Sequence, residues 1–252
     1  MANPDELFNS YGRHYRAGFE PYFIDPALAK ARHKDRLPRW MLTMSRDVRV
    51  LDAGCADGYM LSVLWNEGFR NIVGVDVSDE MCSVARARLG SNIRIENMNL
   101  VNFLEEEKSN YDVILFHHVI EHVPRDKTLD LLRNMRSRLT PGGCLAIRTP
   151  NANALAFGYH CQGDFTHVVA FNERSMLQVL EGAGFLPDRI LVRKNPPELF
   201  WSLRHPVGMM FRMLNRVRWK LNRLLHLAVY MLGDLRPLPK TFDWELEVIA
   251  HN

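Results

Sequence analysis

The chain's 252 residues, 47% of them hydrophobic and 24% charged, exclude a disordered or fibrous protein and suffice for one globular domain with a full core. The net charge of +3 is small but uneven, because eight Lys or Arg between Arg193 and Arg223 face a single acid, Glu198. Four cysteines without paired ligand spacing, a polar N-terminus without an apolar leader core, and no run of ~18 apolar residues set the expectation of a cytoplasmic protein, neither secreted nor integral to a membrane.

In chain order, Val48–Asp52, Ile72–Val77, Ile93–Glu96, Val113–His117 and Cys144–Arg148 are short apolar runs of the kind that form buried parallel strands. Helical stretches at Met60–Glu67, Asp79–Leu89 and Lys127–Leu139 alternate with them, and the last leads into a Pro141-Gly142-Gly143 turn before the fifth strand. Ile190–Arg193 and Glu245–Ala250 read as two further strands. This rhythm predicts an α/β doubly wound, seven-stranded, mostly parallel sheet, with a helical insert before the last strand.

Residues 1–252 are expected to form one domain, with 1–45 as an N-terminal helical cap and 197–240 as a basic apolar helical insert. Tyr11, Arg13 and Tyr15 in the cap are placed either to close over a ligand or to pack.

The segment Val48–Gly58 is a strand running into a glycine-bearing turn, where open α/β sheets bind nucleotides. Gly54 and Gly58 permit a sharp turn and close ligand approach. Asp52 at the strand end disfavours a pyrophosphate and suits an ammonium group. Asp76 closes the second strand 18 residues after Gly58, where a carboxylate can accept ribose hydroxyls.

With these residues the chain resembles the class I S-adenosylmethionine-dependent methyltransferases from about Val48 to Phe185. The first motif reads LDAGCADG, with Ala56 where the family usually carries a glycine. The stretch Tyr111–Pro124 resembles the family's fourth strand and following loop, and Leu139-Thr-Pro141-Gly142-Gly143 its entry to the fifth. The resemblance implies a Rossmann-like fold and S-adenosylmethionine as cofactor, held by Asp52, Gly54, Cys55, Gly58, Asp76 and Val77, with His117 near the methionine end. Relatives place an adenine-binding acid at the end of the third strand; here Asn97, Met98 and Asn99 occupy that place.

Beyond the fifth strand, Thr149–Asn153, Gly163–Val168 and Phe171–Glu173 concentrate polar groups at the open sheet edge. O-methylation needs a hydroxyl deprotonated as it attacks, which makes His167 the leading candidate base, with Asp164 to orient its imidazole. His122 and His118 are rivals; alternatively, Asp164 caps a turn while the histidines pack or cap. No HExxH, cysteine pair or clustered acids have metal-ligand spacing, so no metal ligands are assigned; metal dependence, known in sugar methylation, is left open by the sequence.

The span from Arg148 to Phe185 resembles methyltransferases of bacterial surface-polysaccharide and lipopolysaccharide (O-antigen) assembly. That resemblance implies an O-methyltransferase acting on a sugar hydroxyl of a polysaccharide or lipid-linked glycan. The alternatives are a quinone-pathway or other lipophilic small-molecule O-methyltransferase and a non-catalytic cofactor-binding scaffold.

Residues 205–232 carry Met213, Leu214, Val217, Leu221, Leu224 and Leu225 in one helical stripe, flanked by Arg212, Arg216, Arg218, Lys220 and Arg223. The stripe suits peripheral contact with the inner face of an anionic cytoplasmic membrane, with Trp219 at the interface, a lipid-linked acceptor, or a substrate lid or homodimer helix. Nucleic acid is not an expected partner, since the basic residues lack interleaved aromatic platforms.

Overall fold

The computed structural model describes residues 37–155, 157–194, 206–233 and 237–252. Most of the expected cap, including Tyr11, Arg13 and Tyr15, lies outside the described residues, as do 197–205 and 234–236 of the insert.

Among the described residues the elements run α1 (Arg39–Leu42), β1 (Val50–Ala53), α2 (Tyr59–Asn66), β2 (Ile72–Asp76), α3 (Asp79–Leu89), β3 (Arg94–Asn97), α4 (Leu100–Glu106), β4 (Tyr111–His117), α5 (Arg125–Ser137), β5 (Leu139–Pro150), α6 (Phe157–Gln162), α7 (Glu173–Gly182), β6 (Ile190–Arg193), α8 (Pro206–Leu232) and β7 (Glu245–His251). The strands form one seven-stranded sheet in the order β3-β2-β1-β4-β5-β7-β6. β1 pairs in parallel with both β2 and β4, whereas β7 is antiparallel to β5 and β6. The doubly wound, mostly parallel expectation therefore holds.

Strand side chains alternate between two apolar layers, as a sheet covered on both faces requires. Leu51, Ile114 and Phe116 join the layer that includes Leu104 of α4, Leu132 of α5 and Leu180 of α7. Val50, Val113 and Leu115 join Leu61 and Leu64 of α2 and Ala85 of α3. Local signals fix the helix starts: Ser78 caps α3 by accepting from Met81 N, and Asn172 with Ser175 closes a capping box on α7.

Two details differ from expectation. Pro141-Gly142-Gly143 lies within β5, where the register jumps from the Tyr111–Leu139 pair to Val113–Cys144. Gly142 takes a φ of 81°, and Gly143 O accepts from Asn252 N, so the chain bulges outward and rejoins the same strand.

The second difference concerns α8. This helix docks through Trp219, His226 and Tyr230: the indole N–H donates to Asp243, the buried His226 accepts Leu155 N–H, and the Tyr230 hydroxyl donates to Asn153. Met213, Leu214, Val217, Leu221, Leu224 and Leu225 are each 48–61% exposed on the other face. Trp219 is thus tied to the domain through its indole N–H. Among the described residues, no helix is long and apolar enough to cross a membrane.

Candidate active site

The carboxyl ends of β1, β4 and β5 open onto a cleft lined by Asp52, Gly54, Cys55, His117, His118, Arg148 and Glu245, among others. Asp52 is buried, and its Oδ2 has no hydrogen-bond partner. Burial above all, then the charges of Asp76 and Asp57, push its carboxyl up to about 7. An orphaned carboxylate in such a cleft fits the ammonium of a methionine moiety.

Asp76 accepts backbone N–H groups from Ala56 and Ser78, both at 2.9 Å. The first bond holds the loop where Ala56 replaces the family's glycine, and Ala56 accordingly adopts a φ of 44°. Gly54, at φ 89°, lies against Val119, whose Cγ2 would stand 2.2 Å from an added Cβ. Gly58 faces Ala85, so its missing side chain lets α2 approach α3 rather than lining the cleft.

The neighbouring strand ends are less committed to a ligand. Val77 is half-exposed beside Asp76. The Asn97 side-chain amide donates to the Asp76 and Val77 carbonyls, Met98 N donates to Asp76 O, and Asn99 caps α4 by accepting from Val101 N. The polar groups expected at the adenine end are thus partly used to brace β2 against β3. Burial, with Arg148 and His118 nearby, holds His117 well below its usual pKa.

On the acceptor side, His118 leaves β4 in the left-handed region at φ 55°, a strained geometry for a non-glycine residue. Its Nε2 is 2.8 Å from Glu245 Oε1 and its Nδ1 3.4 Å from Glu121 Oε1. Burial opposes its charge, but these two carboxylates prevail and raise its pKa to about 9. His118 is therefore a cation locked between acids, not a base.

Glu121 and His122 lie in the 3-10 turn Ile120–His122, and His167 comes from the loop after α6. The Thr149 hydroxyl donates to Glu121 Oε2 at 3.0 Å, while the buried Oε1 makes no hydrogen bond and has only the 3.4 Å ion pair with His118. Asp164 does not orient His167, since its Oδ2 lies 3.9 Å from His167 Nε2. Asp164 Oδ1 instead accepts from the Thr166 backbone N–H at 2.9 Å and the Thr166 hydroxyl at 2.6 Å.

That hydroxyl has one proton, which it donates to Asp164, so at 2.8 Å it accepts from His122 Nδ1–H. His167 Nδ1 faces the Cys161 carbonyl at 3.1 Å and must likewise donate. In its neutral form each imidazole would consequently carry its lone pair on Nε2. Their rings meet edge to face at 4.7 Å. Burial chiefly holds the His122 pKa below its ordinary value, keeping its ring neutral.

Sequence reasoning missed one participant and one grouping here. Thr166 lies inside the Asp-x-Thr-His stretch, but a hydroxyl's direction cannot be read from spacing. Glu121, His122 and His167 offer ligand atoms within 4.8 Å of one another, a grouping that the absence of any local ligand spacing concealed.

Comparisons with known proteins agree with this geometry. A family model described as "Methyltransferase domain" matches residues 13–188. The chain belongs to this family. A "SAM dependent methyltransferase" from Archaeoglobus fulgidus superposes with a TM-score of 0.65 at 20% identity, over 94% of this chain and 99% of that one. The structure described as "DhpI-SAH complex structure" matches with a TM-score of 0.55 at 18% identity, over 76% of this chain and 89% of the other. These likenesses establish the S-adenosylmethionine-dependent methyltransferase fold.

In sequence, the "Ubiquinone biosynthesis O-methyltransferase" of Aliivibrio fischeri (strain MJ11) is 29% identical over 112 residues, 43% of this chain and 47% of its own length. That of Xanthomonas campestris pv. campestris (strain B100) is 30% identical over 43% of this chain and 46% of its own length. The chain thus spans about half the length of the relatives it matches.

Proposed function

We propose that this methyltransferase O-methylates a sugar hydroxyl of a lipid-linked glycan or surface polysaccharide, using S-adenosylmethionine bound by Asp52, the Gly54–Ala56 loop and Asp76. When bound, the cofactor supplies an electrophilic methyl group on a sulfonium. The chain's own task is to hold an acceptor hydroxyl and remove its proton.

The observation that carries the reading is the pair of imidazoles, His122 and His167, whose Nδ1 atoms both face acceptors and whose ligand atoms group with Glu121 within 4.8 Å. His118 connects the two regions, lining the cleft while its Nδ1 stands 3.4 Å from Glu121. Either Nε2 can accept a hydroxyl proton. Arg148 and Glu245 in the cleft, with Asp164 and Thr166 beside His122, supply polar groups that suit a polyol better than an isoprenoid-bearing ring.

The exposed apolar face of α8 supports a membrane-borne acceptor. Pro206–Leu232 contains no Asp or Glu, and Arg218 and Lys220 are exposed beside the Leu/Met stripe, a pattern complementary to anionic lipid. Peripheral attachment would bring the cleft to a lipid-linked substrate. A quinone-pathway phenol is the second reading, favoured by the names of the relatives and by the same apolar face.

Saccharide and phenolic acceptors offered side by side with methyl-labelled cofactor separate the two. Label on a sugar oxygen supports the proposal; label on the phenol alone transfers the site to the second reading. Cofactor binding without transfer to any acceptor would leave a non-catalytic scaffold.

A further inference from the structure

The two histidines and Glu121 form an arrangement that proton transfer alone does not require. We infer that Glu121, His122 and His167 bind one divalent transition-metal ion, with its remaining coordination positions open to acceptor oxygens. Its role in hydroxyl activation rests on the proposed function, but the binding itself does not.

Ligand type and number come first. Two imidazoles and one carboxylate suit Zn²⁺, Mn²⁺, Fe²⁺ or Co²⁺, and three protein ligands leave the sphere incomplete, as in metal sites that handle substrate. The three ligand atoms lie within 4.8 Å of one another. Ligand bonds of about 2.0–2.2 Å span at most about 4.4 Å across an ion, so closure needs only side-chain adjustment.

The outer contacts are those a metal site needs. Each ligating imidazole should donate its second N–H to a fixed acceptor, which directs the other nitrogen's lone pair at the ion. His167 Nδ1–H donates to the Cys161 carbonyl, and His122 Nδ1–H to Thr166, itself anchored on Asp164. Glu121 is fixed by the Thr149 hydroxyl through Oε2. Its Oε1, on a residue only 2% exposed, makes no hydrogen bond and meets only the His118 Nδ1 at 3.4 Å, so it retains a lone pair for an ion.

The location gives the ion a task. A hydroxyl coordinated next to the cleft would lose its proton more readily than a free alcohol, and vicinal sugar hydroxyls can occupy two adjacent open positions.

The test uses the full chain, stripped with chelator and titrated with Co²⁺, while visible absorption and equilibrium dialysis are followed. One ion per chain is expected, with binding weakened at least ~10-fold in Glu121→Gln and His167→Gln. Cys161→Ser should bind normally, because only the Cys161 carbonyl takes part. No stoichiometric binding, binding unaffected by both substitutions, or binding abolished by Cys161→Ser overturns the inference.

A measurement on the wild-type chain removes dependence on the variants' folding. Bound Co²⁺ should produce two exchangeable, hyperfine-shifted imidazole N–H signals, one from each Nδ1–H, and fewer than two contradicts the site. Methyl transfer undiminished in excess chelator, without metal binding, refutes this inference alone. Metal binding without transfer to any hydroxyl refutes the proposed function alone.

Discussion

The Nδ1–H of His122 donates to the Thr166 hydroxyl at 2.8 Å, and through this bond a carboxylate two residues away in sequence from Thr166 reaches an imidazole on another loop. Asp164 thereby sets the tautomer of His122, not of His167.

Thr166→Val tests that relay, since it keeps the shape and deletes the hydroxyl. Turnover should fall roughly 10–100-fold with cofactor affinity unchanged, and Thr166→Ser should restore it. Equal activity in the Val variant, from single-turnover rates at saturating cofactor, would show that the relay is only structural.

The Asp76→Ala variant should weaken cofactor binding by about 1.5–3 kcal/mol for each charge-assisted hydrogen bond lost. It should also lower stability, because the carboxylate accepts N–H groups from Ala56 and Ser78. Calorimetric affinity equal to wild type would contradict the ribose-binding role.

Buried Asp52 predicts a pH dependence. Its pKa rises from 3.8 to about 7 on folding, so the folded state holds the proton more tightly and cofactor-free stability should decline as pH rises between these values. Binding an ammonium requires the ionised form. Cofactor affinity should therefore climb by about tenfold per pH unit below 7 and level off above it. Titration calorimetry in buffers of different ionisation enthalpy should detect a proton released on binding near pH 6; a flat profile that Asp52→Asn leaves unaltered would remove Asp52 from the cofactor site.

Leu221→Glu with Leu224→Glu places charge on the exposed face of α8, away from Trp219, His226 and Tyr230. Co-sedimentation with vesicles containing anionic lipid should fall sharply while cofactor affinity stays constant. Wild-type protein that ignores such vesicles but sediments as a dimer would assign the face to a second copy. By contrast, His226→Ala strips the partner from Leu155 N and should cost about 1–3 kcal/mol of stability, read from denaturant unfolding.

Much of this architecture is legible in the sequence because buried parallel strands advertise themselves as short apolar runs. Val113–His117 and Ile72–Val77 fall within a residue or two of β4 and β2, and the strand-end acids Asp52 and Asp76 lie where the sheet order needs them. The Pro141–Gly143 segment misleads because turn residues look alike whether they precede a strand or bulge from one. In α8, the six-residue apolar stripe is visible but its direction is not. Specific hydrogen bonds from Trp219, His226 and Tyr230 decide which face docks, and helical periodicity carries no record of distant partners. The Glu121, His122 and His167 grouping is equally silent, since two separate loops must fold before their atoms meet.

Transfer itself provides the most direct test of the account. The full chain would be incubated with methyl-labelled S-adenosylmethionine and lipid-linked saccharides, with phenolic quinone precursors in parallel, and the products resolved by mass spectrometry and NMR. The expected result is label in an O–CH₃ group on a sugar ring, with turnover reduced roughly 10²–10⁴-fold in His167→Ala at nearly unchanged cofactor affinity. Label confined to phenols, or sugar methylation at wild-type rate in His167→Ala, would contradict it.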